Sequence, residues 1–237
     1  SILGRILQPH PAFVHLKEPR FVWRYGNDRR SDMLAAVHAR PEVIAYVREQ
    51  FGKAHAKRDG TRLLEKSPSN SLRIPFIERI FPDAVYVHIM RNGFYSAASI
   101  RSYWLNATSG VVNGRIGDRK SILRQRFEEA ALRQIPFYFG ELAQRVMPAP
   151  RGRPKTLWGP RLPGLSQMVR DMELIEVAAM QWRECVELAA LDGRDLGPDR
   201  YMELRLEDLT LDKVVEVLAH AGLDMAPEVE AYFNENF

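Results

Sequence analysis

Residues 84–90 read Ala-Val-Tyr-Val-His-Ile-Met and run straight into Arg91-Asn92-Gly93. This stretch is almost continuously apolar and β-branched, the pattern of a strand buried on both faces of a parallel sheet. A helix is predicted to follow over residues 93–104. Upstream, residues 71–81 carry Ile74, Ile77 and Phe81 on one helical stripe and stop at Pro82, while residues 61–65 form a short strand after the turn signal Asp59-Gly60. Strand, helix, strand and helix in direct succession make a βαβ unit and place the chain in the α/β class.

Farther out, helices are predicted at 2–8, 41–51, 166–191, 211–221 and 228–237, with a third strand at 201–206. Residues 12–32 show no sustained period and read as a loop rich in charge and aromatics. A loop at 106–117 precedes a long helical region, 118–146. Residues 147–165 are too dense in proline and glycine for a regular element. The expected architecture is one domain over residues 1–237, a parallel sheet with helices on both faces, with a mostly helical insertion at 106–165.

The 237 residues suffice for one sizeable core, and 46% hydrophobic with 27% charged residues is ordinary globular composition. A single cysteine, Cys185, excludes an internal disulfide framework. No apolar run approaches the roughly 18–20 residues of a membrane span, and a cytoplasmic location is expected. The net charge is +4. Most of the basic residues are arginine, which suits planar oxyanions, although a GC-rich genome would produce the same excess. They are scattered rather than clustered in a run, which argues against a nucleic-acid partner. The six histidines show no metal-ligand spacing, so no metal is expected.

Chemistry-bearing residues gather around the βαβ unit. Glu65-Lys66-Ser67-Pro68-Ser69-Asn70-Ser71 closes one strand and opens a helix; Arg91 closes the next strand, and Ser99 lies two helical turns beyond it. Strand ends of a parallel α/β sheet converge on one crevice, so Lys66 and Arg91 are expected at a common site. A guanidinium and a hydroxyl at this spacing suit a phosphate monoester. The structural readings stand beside these: a solvated strand-end lysine for Lys66, a serine bonded to its own backbone for Ser99.

Arg91-x7-Ser99, preceded by Phe81-Pro82-Asp83-Ala84 and a buried strand, resembles the 3′-phosphate-binding element of sulfotransferases that use 3′-phosphoadenosine 5′-phosphosulfate (PAPS). Glu65-Lys66-Ser67-Pro68 is similar to that family's Glu-Lys-[Ser/Thr]-Pro segment. Leu204-Arg205-Leu206-Glu207-Asp208-Leu209 resembles its Arg-Tyr-Glu-Asp-Leu strand end, with Leu206 where relatives carry a tyrosine that approaches the adenine. The resemblance, strongest over 65–101, implies a P-loop-like parallel sheet. It also implies a first strand and Gly-x-x-[Arg/Lys]-Ser-Gly-Thr loop ahead of the chain, with Ser1 as that loop's last residue. A nucleotide-contacting loop is implied beyond Phe237.

The implied activity is transfer of a sulfuryl group from PAPS to a hydroxyl of a small molecule or glycan. Arg91, Ser99, Ser1 and Leu206 are the implied nucleotide contacts, and Lys66 is the cation that meets charge developing on the leaving oxygen. His10-Pro11 followed by Lys17-Glu18-Pro19-Arg20 is similar to the bacterial and tyrosylprotein branch of the family, which implies Glu18 as general base and Arg20 on substrate or sulfate. Arg24 and Arg161 are further candidates for the acceptor. On the bland reading Glu18 pairs with Arg20 or Arg24 on a surface loop, and His88, Trp104 and Trp182 pack in the core. Rival functions are a P-loop phosphotransferase, against which stands the lack of a Walker lysine and of an acidic Mg²⁺ ligand at a strand end, and a nucleotide-binding scaffold without turnover.

Overall fold

The computed structural model describes residues 2–56, 60–109 and 157–237, with Ala131, Gln134, Pro136 and Phe137. Helix α1 (Ile2–Leu7) leads to strand β1 (Phe13–Lys17) and helix α2 (Arg20–Arg24). The segment 12–32, expected to be a loop, therefore carries two regular elements. β1 has only five residues, too few to show a period, and its hydrogen bonds come from a partner strand that is remote in sequence. That partner is β2 (Arg62–Lys66), reached through α3 (Pro41–His55). The two pair in parallel, Phe13 opposite Arg62 through Lys17 opposite Lys66.

Helix α4 (Ile74–Ile80) connects β2 to β3 (Tyr86–Met90), and α5 (Gly93–Ser109) follows. The helix expected over 71–81 is split. Residues 68–72 form a 3₁₀ turn, and α4 starts afresh behind Arg73 with Pro75 in its first turn. β3 pairs in parallel with β4 (Tyr201–Arg205), Met90 lying opposite Arg205. The strands of the βαβ unit, β2 and β3, are not ladder partners of each other. The described residues contain two parallel pairs, β1-β2 and β3-β4.

Both pairs lie between the same two layers. Phe13, Leu64, Val87, Ile89, Met202 and Leu204 pack with α1, α8 (Leu211–His220) and α9 (Pro227–Asn236). Their strand neighbours Leu63 and Tyr86 face the other way, onto the core of α2, α3 and α4 around Trp23, Val43, Val47 and Phe76. The protein is a helix-rich α/β structure with helices on both faces of its parallel strands.

The helix expected over 166–191 is two, α6 (Leu165–Asp171) and α7 (Leu174–Arg194). The break is a capping box in which the Glu173 amide donates to Glu176 Oε2 at 2.9 Å. Most of the proposed insertion, including 118–146, lies outside the described residues apart from the four noted. Of 147–165, residues 157–164 form a turn with Gly159 at φ 78° and Gly164 at φ 70°, where a side chain would be strained. Trp104 is fully buried, as expected. His88 sets Nδ1 2.6 Å from the Tyr201 hydroxyl, and burial lowers its pKa below the usual histidine value.

Candidate active site

Lys66 is the last residue of β2 and stands in register with Lys17, so Glu18 is the first residue beyond the β1-β2 ladder. The Lys66 ammonium donates to Glu18 Oε1 at 2.7 Å. Glu18 has φ 36°, a left-handed value uncommon for a residue with a side chain. Strand alternation would send its carboxylate to the Leu16 face. The left-handed step ends the strand and turns the chain, with the Arg20 amide donating to the Glu18 carbonyl at 2.6 Å. Glu18 pairs with Lys66, which sequence reasoning did not foresee. Arg20 opens α2 directly beyond the turn.

Behind Lys66 lies a compact ionic cluster. Arg24 is 2% exposed and donates through Nε and Nη2 to Asp32, at 3.0 and 3.2 Å, while Asp32 is 1% exposed. Asp32 also accepts from Ser69 Oγ at 3.0 Å and from the Arg161 amide at 2.8 Å. Burial drives the Asp32 carboxyl up, but Arg24, Arg73 and Arg161 overcome it and hold the pKa at about 2. Arg73, buried over the Trp23 ring, is brought down to about 10 by burial against the pull of Asp32 and Glu65. Arg24, expected at the acceptor, is instead a core residue: a buried guanidinium must be paired, and Asp32 pairs it. Arg161 points into the same cluster, donating to the Asp28 carbonyl at 3.3 Å, so it ties residues 157–164 to 24–32.

A second group of residues surrounds Arg91, which follows β3. Its guanidinium is exposed, lies 5.8 Å from the Tyr95 ring, and, secondary to the Asn92 amide, helps hold the Glu207 carboxyl below its usual pKa. The turn 91–93 is gripped from two remote elements. Trp182 Nε1 of α7 donates to the Arg91 carbonyl at 3.1 Å, and the Asn92 amide donates to Glu207 Oε1 at 2.7 Å. Trp182 is thus half-buried against this turn rather than in the core. Its ring also explains Gly93, where a Cβ would lie 2.8 Å from it. Asn92 caps α5 by accepting from the Phe94 and Tyr95 amides. Ser99 is half-buried in the second turn of α5, a helical segment away from Arg91.

Leu206 follows β4 beside Glu207 and is half-buried. At the end of the β3-β4 pair a cavity of about 310 Å³ is lined by Met90, Met202 and Leu204 together with Glu203, Arg205, Asp208 and Lys213. The two groups are joined through α7, which packs on the 68–72 turn behind Lys66 and on both β3 and α5. Ser1 lies outside the described residues. Asp32, Arg73, Trp182 and Glu207 were not expected as site residues from sequence. Only Glu207, inside the Leu-Glu-Asp-Leu strand end, carried a signal that could have found it.

Among the described residues no three His, Cys, Asp or Glu side chains are grouped to hold a metal ion, and no helix is long and apolar enough to cross a membrane. No curated protein and no solved structure matches the chain. The sequence model of the sulfotransferase family matches residues 1–136, more than half of the chain and the part that holds Glu18, Lys66, Arg91 and Ser99. The chain belongs to the sulfotransferase family and is a transferase.

Proposed function

We propose that the protein moves a sulfuryl group from PAPS to a hydroxyl of a small molecule or glycan. The observation that carries this reading is the 2.7 Å contact between Glu18 and Lys66, a proton acceptor and a cation held together beyond the β1-β2 ladder. In the reaction the acceptor oxygen forms its bond to sulfur and gives its proton to Glu18. The bond from sulfur to the bridging oxygen breaks, the electron pair stays on the phosphate, and Lys66 offsets the charge that develops there. The donor supplies the sulfuryl group, and no enzyme-bound sulfate is needed.

The residues present fit such a donor. Arg91 offers an exposed guanidinium that meets the Glu207 carboxylate only at longer range, and Ser99 lies farther along the helix that starts beside it; together they are assigned to the 3′-phosphate. The apolar lining residues Met90, Met202 and Leu204 of the cavity at the β3-β4 end, with Leu206 adjacent, suit a purine face. In a P-loop-like sheet, one further strand paired with both β2 and β3 would unite the two pairs. Arg20 is assigned to the acceptor side. Residues 106–165 shape the acceptor pocket, with Arg161 acting as a strut of its wall. The likeness around Glu18 favours the bacterial and tyrosylprotein branch of the family.

Glu18→Gln tests the reading. A general base contributes typically about 10²–10⁴-fold, so kcat should fall by that factor while calorimetric affinity for the product nucleotide, 3′-phosphoadenosine 5′-phosphate, stays within about threefold of wild type. Near-normal turnover would move the base elsewhere, with His15 on β1 the next residue to test.

A further inference from the structure

We propose that Glu65 and Asn70 form a positioning clip that aims the Lys66 ammonium. This rests on the catalytic reading of Lys66 above. Glu65 precedes Lys66 on β2, so its side chain leaves the opposite face of the strand. Its carboxylate accepts from Ser67 Oγ at 2.5 Å and from the Asn70 side-chain amide. Both donors come after Lys66 in the chain. The residue before the lysine is thereby tied to residues one and four positions beyond it, and the backbone at Lys66 is held on both sides.

The clip has one polarity. Arg73 donates to Asn70 Oδ1 through Nε at 3.0 Å and through Nη2 at 2.6 Å. The Asn70 oxygen is therefore committed to Arg73, and its NH₂ group must face Glu65. Arg73 cannot easily yield, because it is buried over Trp23 and faced by Asp32. Ser69, next to Asn70, is pinned to Asp32 as well. The turn behind Lys66 thus hangs from the ionic cluster by two neighbouring residues.

Packing alone does not account for Glu65. The side chain is partly buried, and desolvation pushes its carboxyl above the usual carboxylate range despite the Ser67, Arg73 and Asn70 contacts that pull it down. An apolar side chain beside Trp23 would avoid that cost but would take a counter-charge from the buried Arg73. Besides answering Arg73, the carboxylate fixes the geometry around the lysine that meets Glu18.

The test is a reciprocal exchange. Asn70→Asp sets two carboxylates against each other. Glu65→Gln/Asn70→Asp restores one donor and one acceptor with the polarity reversed and leaves an acceptor for Arg73. Two readouts are taken on the full chain, with thermal unfolding recorded for each variant. The first is the acetylation rate of Lys66 by acetic anhydride, read by peptide mass spectrometry; an ion-paired, fixed amine reacts slowly. The second is release of 3′-phosphoadenosine 5′-phosphate from PAPS with water as acceptor.

Asn70→Asp should raise Lys66 labelling about three- to tenfold and slow nucleotide release at least tenfold, and the double variant should bring both back to within threefold of wild type. Ser67→Ala, a milder lesion, should raise labelling about twofold. Unchanged Lys66 labelling in folded Asn70→Asp and Ser67→Ala overturns the clip, as does a folded double variant that restores neither readout. Lys66→Ala separates the two layers. If it leaves nucleotide release unaltered, the catalytic reading fails; if it abolishes release while Asn70→Asp leaves labelling unaltered, only the clip fails.

Discussion

The Lys66 ammonium and the Glu18 carboxylate meet at 2.7 Å although the residues stand 48 positions apart. Three features produce the contact: a parallel ladder that sets Lys66 opposite Lys17, a left-handed φ at Glu18, and a turn behind Lys66 that is hydrogen-bonded to the ionic cluster. Both side chains keep solvent access, at 31% and 58% exposed. An exposed pair of this kind contributes little to stability, about 0–1 kcal/mol. On the proposed catalytic reading, a donor and an acceptor taking up Lys66 and Glu18 would divide the pair at little energetic cost.

Lys66→Ala should act on the transition state more than on binding. kcat is expected to fall by at least about 10²-fold, while affinity for 3′-phosphoadenosine 5′-phosphate changes by less than about fivefold. Steady-state kinetics paired with calorimetry measure both, and a loss confined to KM would remove Lys66 from the chemical step.

Arg91→Ala should weaken 3′-phosphoadenosine 5′-phosphate. A hydrogen bond to a charged group is worth about 1.5–3 kcal/mol, which corresponds to roughly 10- to 150-fold in affinity. Ser99→Ala should cost less, since a neutral hydroxyl is the weaker partner. Equal calorimetric affinity in wild type and Arg91→Ala would take the 3′-phosphate away from this turn.

Asp32 predicts a pH dependence of stability. Its folded pKa, about 2, lies below the ordinary 3.8. A depressed carboxyl contributes stability that is fully present above the unfolded value and is lost as pH falls through the folded one. The difference corresponds to about 2 kcal/mol. Asp32→Asn leaves three arginines short of a buried carboxylate and should cost about 3–5 kcal/mol at pH 7. In urea unfolding the gap between wild type and Asp32→Asn should narrow as pH drops from 5 towards 2. Glu65 titrates in the opposite sense in both proteins and largely cancels in the difference. A gap that stays constant or widens contradicts the assignment.

Gly93→Ala should disturb the turn that carries Arg91. The added Cβ would lie 2.8 Å from the Trp182 ring, so the indole or the turn must shift. Overpacking of this kind costs about 1–3 kcal/mol. The same indole donates to the Arg91 carbonyl, so nucleotide affinity should fall together with thermal stability. Trp182→Leu in the Gly93→Ala background should recover the melting temperature but not the affinity, because the hydrogen bond stays lost.

What could be read from the sequence were the signals that neighbouring residues carry. The apolar run at 84–90, the stripe of 41–51 and the charged strand ends Lys66 and Arg91 follow from local period and punctuation, and they placed β3, α3 and the two ladder ends within a few residues. β1 was invisible, because five residues hold no period and its pairing comes from β2. The partner of Glu18 was equally hidden. Lys66, Arg20 and Arg24 are all cations, and composition does not choose among them; strand register and a left-handed φ do. Along the chain Arg24 reads as an acceptor contact; in the fold Asp32 lies beneath it and accepts from its Nε. Asn92 and Glu207, 115 positions apart, meet only because β3 and β4 are paired. Elements long enough to carry a period are set by interactions along the chain. Which charge meets which is set by distances across the fold, and those exist only once the strands have paired and the helices have closed over them.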